Sequence, residues 1–302
     1  MSDPFIHVDE FGITLGDKDV IKNLSFEVHK GETFALLGSN GSGKTTTLRA
    51  LLGIYSEFNG LLTIGGEPFH PGSNVQVGYL PEERGLYAKE SVLDCLVFFG
   101  QLRGMTTKNA VAWSLNYLNQ VDLRDKAKVK VAKLSSGQQQ KIQLGTCIIN
   151  DPELLILDEP TKGFDPVNRQ LLIDIIMQSK ARGATIIFVT HQMDEVERLC
   201  DRLLLLKDGY AAAYGTVEQV KRMYYRPQVK VHFRGALPES DQYTVVSSSE
   251  DSAVLESDLD DSHLLRTLVE KGAEIDEFFV VAPSLDKVFL QIYGAASSRA
   301  RS

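Results

Sequence analysis

Gly38-Ser39-Asn40-Gly41-Ser42-Gly43-Lys44-Thr45 decides how the rest of the chain is read. It follows an apolar run, Phe34-Ala35-Leu36-Leu37, and precedes a helical pattern with Leu48, Leu51 and Leu52 on one face. Strand, glycine-rich loop and helix in that order make a phosphate cradle of the form G-x-x-x-x-G-K-T. Glycines let such a backbone wrap phosphate oxygens, and the loop amides and helix N-terminus supply partial positive charge. Lys44 adds a full charge, the Thr45 hydroxyl suits Mg²⁺, and Thr46 completes the binding set. A plain glycine turn has no need of the Lys-Thr pair.

Downstream, Leu154-Leu155-Ile156-Leu157-Asp158-Glu159-Pro160 is an apolar strand that ends in two carboxylates. Asp158 at the strand tip suits the Mg²⁺ that bridges nucleotide phosphates, and Glu159 can polarise an attacking water. Thr190-His191 follows another apolar strand, which puts the imidazole at the same carboxyl edge, in reach of a γ-phosphate. Leu134-Ser135-Ser136-Gly137-Gln138 opens a helix whose apolar positions are Ile142, Gly145, Ile148 and Ile149. Ser135 and Gln138 have capping-box spacing, so this is either a well-capped helix or an anion site that contacts a phosphate held by another subunit.

The 302 residues, 43% hydrophobic, suffice for one large domain and a smaller one. Residues 228–302 hold 13 acidic against 7 basic side chains and so carry most of the net charge of -8. Nothing in that balance attracts a polyanion, so nucleic acid is not an expected partner. Cys95, Cys147 and Cys200 are too scattered for a zinc site or a disulfide framework and read as core residues in a reducing compartment. The N-terminus has no signal-like pattern, and no apolar run approaches the ~18 residues that span a bilayer. The expected location is cytoplasmic, with any membrane role arising through a partner.

In chain order, residues 5–37 alternate short apolar stretches with turns, as antiparallel strands beside the phosphate-binding strand. Residues 86–132 turn helical and form an inserted block. Continuous apolar runs at 154–157, 186–189 and 203–206 are strands covered on both faces in a parallel sheet. Asp165-Pro166 starts a helix, as an N-cap followed by proline. Beyond Arg226-Pro227 the chain becomes acidic, with strands at 229–233 and 278–281 and helices around Leu264 and Leu285. The expected fold is α/β: a P-loop ATPase core with a mainly parallel sheet, an antiparallel β subdomain and a helical insertion. Residues 1–226 form that domain, 227–294 a small α+β domain, and 295–302 a disordered tail.

Taken together, the cradle, the Ser135 to Gln138 signature, Asp158-Glu159, the Lys162-Gly163-Phe164-Asp165 loop and His191 resemble the nucleotide-binding subunit of an ATP-binding cassette transporter. The resemblance runs in order from residue 5 to about 225. It implies an ATPase that binds ATP and Mg²⁺ in a head-to-tail homodimer, or with a related cassette subunit. Each ATP would lie between the Gly38 to Thr45 loop of one subunit and the signature Ser135, Ser136, Gly137 and Gln138 of the other, with Thr46 and Asp165 also among the binding residues. Lys44, Glu159 and His191 would be catalytic, and Thr45, Asp158 and Glu82 would face the metal. The helical block would receive the coupling helices of integral-membrane permease subunits on the cytoplasmic face. The last 70 or so residues, ending Ser284-Leu285-Asp286-Lys287-Val288-Phe289-Leu290, are similar to the extension of the daunorubicin-resistance and sodium-efflux branch, which implies export.

This chain departs from that pattern at three positions. Glu82, in Tyr79-Leu80-Pro81-Glu82-Glu83-Arg84, replaces the family's Gln and adds negative charge near the phosphates. Leu15 stands where the family places an adenine-stacking aromatic, so ATP binding is expected to be about tenfold weaker unless Phe11 substitutes. Ser136 replaces the first signature glycine. Two other classes compete: a cassette ATPase acting on ribosomes or DNA, and a P-loop kinase. Against the first stand the single cassette, the acidic composition and the lack of heptads between Lys44 and Asp158; the capped signature helix disfavours the second.

Overall fold

Three runs of four apolar residues, 154–157, 186–189 and 203–206, fix the centre of the molecule, because a strand without polar alternation must be covered on both faces. In the computed structural model all of them are buried strands, no more than 2% exposed at any of the twelve positions. The structure describes residues 3–68, 70, 73–83, 85–224, 228–281 and 284–299. Arg84, the Arg226-Pro227 step and residues 300–302 lie outside that set.

The chain begins with β1 (Ile6–Leu15), β2 (Lys18–Val28), β3 (Thr33–Gly38), α1 (Lys44–Leu51), β4 (Asn59–Ile64) and β5 (Val77–Leu80). Next come α2 (Val92–Leu102), α3 (Thr107–Gln120), α4 (Ser136–Ile148), β6 (Leu154–Asp158) and α5 (Pro166–Ala181). Then follow β7 (Thr185–Val189), α6 (Met193–Leu199), β8 (Arg202–Lys207) and β9 (Tyr210–Thr216). The six-stranded sheet has the order β5-β6-β7-β3-β8-β9, and its first five strands are parallel. Parallel pairing puts every carboxyl end on one edge, where open α/β sheets bind ligands. The register sets Leu157 beside Phe188 and Asp158 beside Val189, while Gly38 lies opposite Leu206.

β1 and β2 alternate in burial, as strands with one solvated face do. With β4 they make a separate antiparallel sheet, ordered β2-β1-β4. Its inner face, with Phe11, Leu24 and Phe26, joins Phe34, Leu48 and Ile156 in one core cluster. Each such side chain contributes about 1.5–3 kcal/mol on full burial. The helical block expected over 86–132 contains α2 and α3, capped by Ser91 and Thr106, whose hydroxyls accept from the Asp94 and Asn109 amides.

The chain divides into two compact units at Tyr214–Gly215, ahead of the Arg226-Pro227 step where composition changes. The second unit holds α7 (Val217–Tyr224), β10 (Gln228–Arg234), β11 (Thr244–Ser248), β12 (Ser252–Glu256), α8 (Asp261–Glu270), β13 (Glu274–Val281) and α9 (Leu285–Arg299). Its antiparallel sheet is ordered β11-β12-β10-β13, and Val229, Val231 and Phe233 pack with Leu264 and Leu268 of α8. Three strands had no clear signal. β9 is rich in alanine, β11 ends in two serines, and β12 is a five-residue stretch, Ser252-Ala253-Val254-Leu255-Glu256, too short and mixed to stand out. The tail expected to be disordered from Ala295 is instead helical through Arg299, since a formed helix extends cheaply through Ala295 and Ala296.

Candidate active site

The cradle begins where β3 ends. Gly38 has φ 154°, and a Cβ there would come within 2.6 Å of the Leu206 carbonyl oxygen, so only glycine lets the loop leave the sheet at this point. Gly43, at φ 108°, is the N-cap of α1, and no side chain caps that helix. The first amides of α1 are therefore left for an anion. Lys44 is 9% exposed and lies back along the loop, its Nζ donating to Gly38 O at 2.7 Å and Ser39 O at 3.0 Å. The Ser42 hydroxyl is buried without a hydrogen-bond partner.

One cavity of about 510 Å³ collects the residues at the sheet edge. Asn40, Gly41, Gly43, Lys44, Thr45 and Thr46 line it together with Glu82, Asp158, Glu159 and His191. Gly38, Ser39 and Ser42 belong to the same loop but do not line the cavity. Lys18, Val20 and Lys162, not assigned from sequence, line it too. A larger open depression of about 780 Å³ lies in the second unit, lined by Phe233, Tyr243 and Lys271 among others, with no phosphate cradle. The smaller cavity is the one lined by the cradle and the sheet-edge carboxylates.

Asp158 and Glu159 are each 7% exposed. Burial, reinforced by Glu82, pushes Asp158 up to about 6. Burial and then Asp158 push Glu159 up to about 7. Two adjacent carboxylates out of water resist double ionisation unless a cation joins them. Glu159 has φ 52°, its amide donates to Val189 O at 2.8 Å, and its Oε1, which makes no hydrogen bond, lies 3.5 Å from His191 Nε2. Burial, then Lys44 and Lys162, lower the His191 pKa, which favours the neutral imidazole. Burial also lowers Lys44, against the opposing pull of Asp158, Glu159 and Glu82.

Glu82 is not simply an added negative charge. Lys162 Nζ donates to its Oε1 at 2.7 Å, and that hydrogen bond holds the carboxyl below its ordinary range. Both partners are more than half exposed, so the pair adds little to stability, but it neutralises the charge locally. Phe11 is not available to stack on a base: it is fully buried, edge-on to Phe58 with ring centroids 5.3 Å apart. Leu15 is 36% exposed at the end of β1.

Ser135, Ser136, Gly137, Gln138 and Asp165 do not line the cavity. At the start of α4 the capping box is complete: Ser135 Oγ accepts from the Gln138 amide at 3.3 Å, and Gln138 Oε1 from the Ser135 amide at 3.0 Å. Asp165 caps α5, accepting from the Val167 and Asn168 amides at 3.0 Å each. No helix among the described residues is long and apolar enough to cross a membrane, and all three cysteines are buried and free.

Comparison with known proteins agrees with this geometry. The ABC transporter family profile matches residues 21–162, and that of the C-terminal domain of DrrA1-3-like ATP-binding proteins matches 215–293. The ABC transporter ATP-binding protein YhaQ of Bacillus subtilis is 35% identical over 95% of this chain and 98% of its own length. The Nod factor export ATP-binding protein I of Bradyrhizobium diazoefficiens is 40% identical over 69% of this chain and 70% of its own. A solved structure of an ATP-binding subunit of an ABC transporter superposes with TM-score 0.68 at 28% identity, covering 73% of this chain and 93% of that one.

Proposed function

The chain belongs to the ABC transporter ATP-binding family, and we propose that its cavity is half of a shared ATPase centre. The protein is the ATP-binding subunit that hydrolyses ATP to power a transporter, working with membrane permease partners. The observation that carries the mechanistic reading is the convergence of Lys44, Thr45, Asp158, Glu159 and His191 on one cavity at the carboxyl edge of a parallel sheet.

ATP is the substrate of this reading. The uncapped α1 N-terminus and Lys44 hold its phosphates, with the unpartnered Ser42 hydroxyl as a further donor. Mg²⁺ fits the donor set: Thr45 and Asp158 would hold it through a hydroxyl and a carboxylate, a pairing that suits an ion bound by one or two carboxylates plus substrate phosphates. When bound it neutralises charge on the transferring phosphoryl group. Glu159 orients a water and takes its proton as oxygen bonds to Pγ and the bond to ADP breaks, releasing ADP and phosphate. His191, as the neutral imidazole, holds the γ-phosphate side of that water.

A second copy, or a related cassette subunit, completes the site with Ser135, Ser136, Gly137, Gln138 and Asp165, which lie outside the cavity of their own chain. The units divided at Gly215 act as the ATPase cassette and a C-terminal appendage. Export is the direction supported by relatives named for Nod factor export and linearmycin resistance. Glu159→Gln tests the chemistry: ATP binding should persist while phosphate release falls at least about 100-fold. Parent-level turnover in that variant would remove Glu159 from its role.

A further inference from the structure

On α4, Gln140, Gln143 and Cys147 are spaced i, i+3 and i+7, which puts them on one face of the helix. All three donate to main-chain carbonyls at the carboxyl ends of β5 and β6. Gln140 Nε2 donates to Pro160 O at 2.9 Å and Glu159 O at 3.3 Å. Gln143, only 5% exposed, donates through Nε2 to Glu83 O at 3.1 Å and Pro81 O at 3.4 Å. The Cys147 thiol donates to Tyr79 O at 2.9 Å. Gly78 lies so close to α4 that a Cβ on it would sit 2.3 Å from Cys147 O, so helix and strand cannot slide past each other. One helix thus grips both loops that bear site carboxylates: the Glu82 loop through Gln143 and the Glu159 turn through Gln140.

We propose that Gln140 and Gln143 are positioning residues, which transmit the placement of the α4 N-terminus to Glu159 and Glu82 of the same chain. The inference rests on the shared-centre reading, in which that N-terminus grips the nucleotide of the partner subunit. A nucleotide bound in one half-site then sets the carboxylates of the other. The coupling path is short: from Ser135 to Gln140 is less than two helical turns, and one hydrogen bond then reaches the backbone of Glu159. The glutamines touch neither phosphate nor water in this scheme; they hold the loops through carbonyls and leave the carboxylates free to face the cavity.

The test uses the full chain with Gln140→Met and Gln143→Met, which keep side-chain length and remove the donors. Each variant is expected to lower kcat about tenfold while KM for ATP stays within about twofold. Hydrogen exchange with and without Mg-ATP, in a Glu159→Gln background that retains nucleotide, supplies the readout that a stability defect alone would not give. In the parent, ATP should slow exchange at 135–138, 81–83 and 159–161. Gln143→Met should lose the protection at 81–83 only, and Gln140→Met that at 159–161 only, with 135–138 still protected in both. Intact loop protection in both variants overturns the coupling while leaving the shared centre standing. Absence of ATP-dependent protection at 135–138 in the parent overturns the shared centre, and the coupling with it.

Discussion

The N-termini of α1 and α4 resolve the same shortage of hydrogen-bond partners in opposite ways. α1 starts at Gly43 with no side-chain cap and opens into a cavity. α4 starts at Ser135 with a complete capping box, and its first residues do not line that cavity. An uncapped helix start leaves amide donors for an anion, and Lys44 supplies the charge to hold it. A capped start is already stable and has only its remaining amides to offer. Under the proposed shared centre, the difference assigns nucleotide affinity to the α1 end of one chain and gives the α4 end a role only once a second chain presents its nucleotide.

Lys44→Ala gives the largest contrast. It should weaken ATP binding on the order of 100-fold, from the loss of charge-assisted hydrogen bonds to phosphate. Ser135→Ala, titrated calorimetrically at concentrations where the chain is monomeric, should leave affinity within about twofold. Equal losses in the two variants would break the comparison.

Next comes Gly137→Ala. Its added Cβ would lie 3.2 Å from the ring of Phe164, in the loop between Glu159 and Asp165. Steady-state kinetics should show turnover reduced about tenfold with monomer affinity unchanged, a misfit costing about 1–3 kcal/mol. Phe164→Leu in the same chain should restore most of it. A drop in affinity instead would assign Gly137 to the chain's own cavity.

Leu15→Tyr sharpens the α1 side. Supplying the missing aromatic should tighten ATP about tenfold, by base stacking on the order of 1–3 kcal/mol. Phe11, buried against Phe58, does not compete for the base. Fluorescent-nucleotide titration reads the change, and unaltered affinity would place adenine away from Leu15.

The smallest effect concerns stability without nucleotide or Mg²⁺. Folding raises Asp158 to about 6 and Glu159 to about 7, above their values in the unfolded chain. Carboxyls with raised folded pKa values bind more protons when folded, so their ionisation costs stability as pH rises through about 4 to 7 and the full penalty applies above that. Asp158→Asn should therefore raise the thermal midpoint by a few degrees at pH 8, worth on the order of 1–2 kcal/mol, and give no gain at pH 4. A gain of equal size at both pH values would tie the effect to packing rather than charge.

The cradle, the Asp158-Glu159 pair and His191 were legible because each follows directly on an apolar strand, and local order alone puts strand ends and loops together. Lys18 and Val20 were not, since β2 lies in the separate antiparallel sheet and meets the cradle only through tertiary packing; nor was Lys162, whose approach to Glu82 depends on the pairing of β5 with β6. The glutamine face of α4 did leave a trace. Gln143 sits between buried Ile142 and Leu144, and a polar residue at a core-facing helical position needs a partner. Nothing local names that partner as a loop from residues 81–83.

The sequence by itself determined which side chains carry charge, where the backbone can turn tightly, and which runs must be buried; these follow from residue chemistry and short-range periodicity. Tertiary structure alone decided that Asp158, Glu159 and Lys44 share one poorly solvated cavity, that Lys162 offsets Glu82, and that the α4 N-terminus stays outside. Ladder register sets those distances across more than a hundred residues, and burial sets the local dielectric, which no side chain carries with it.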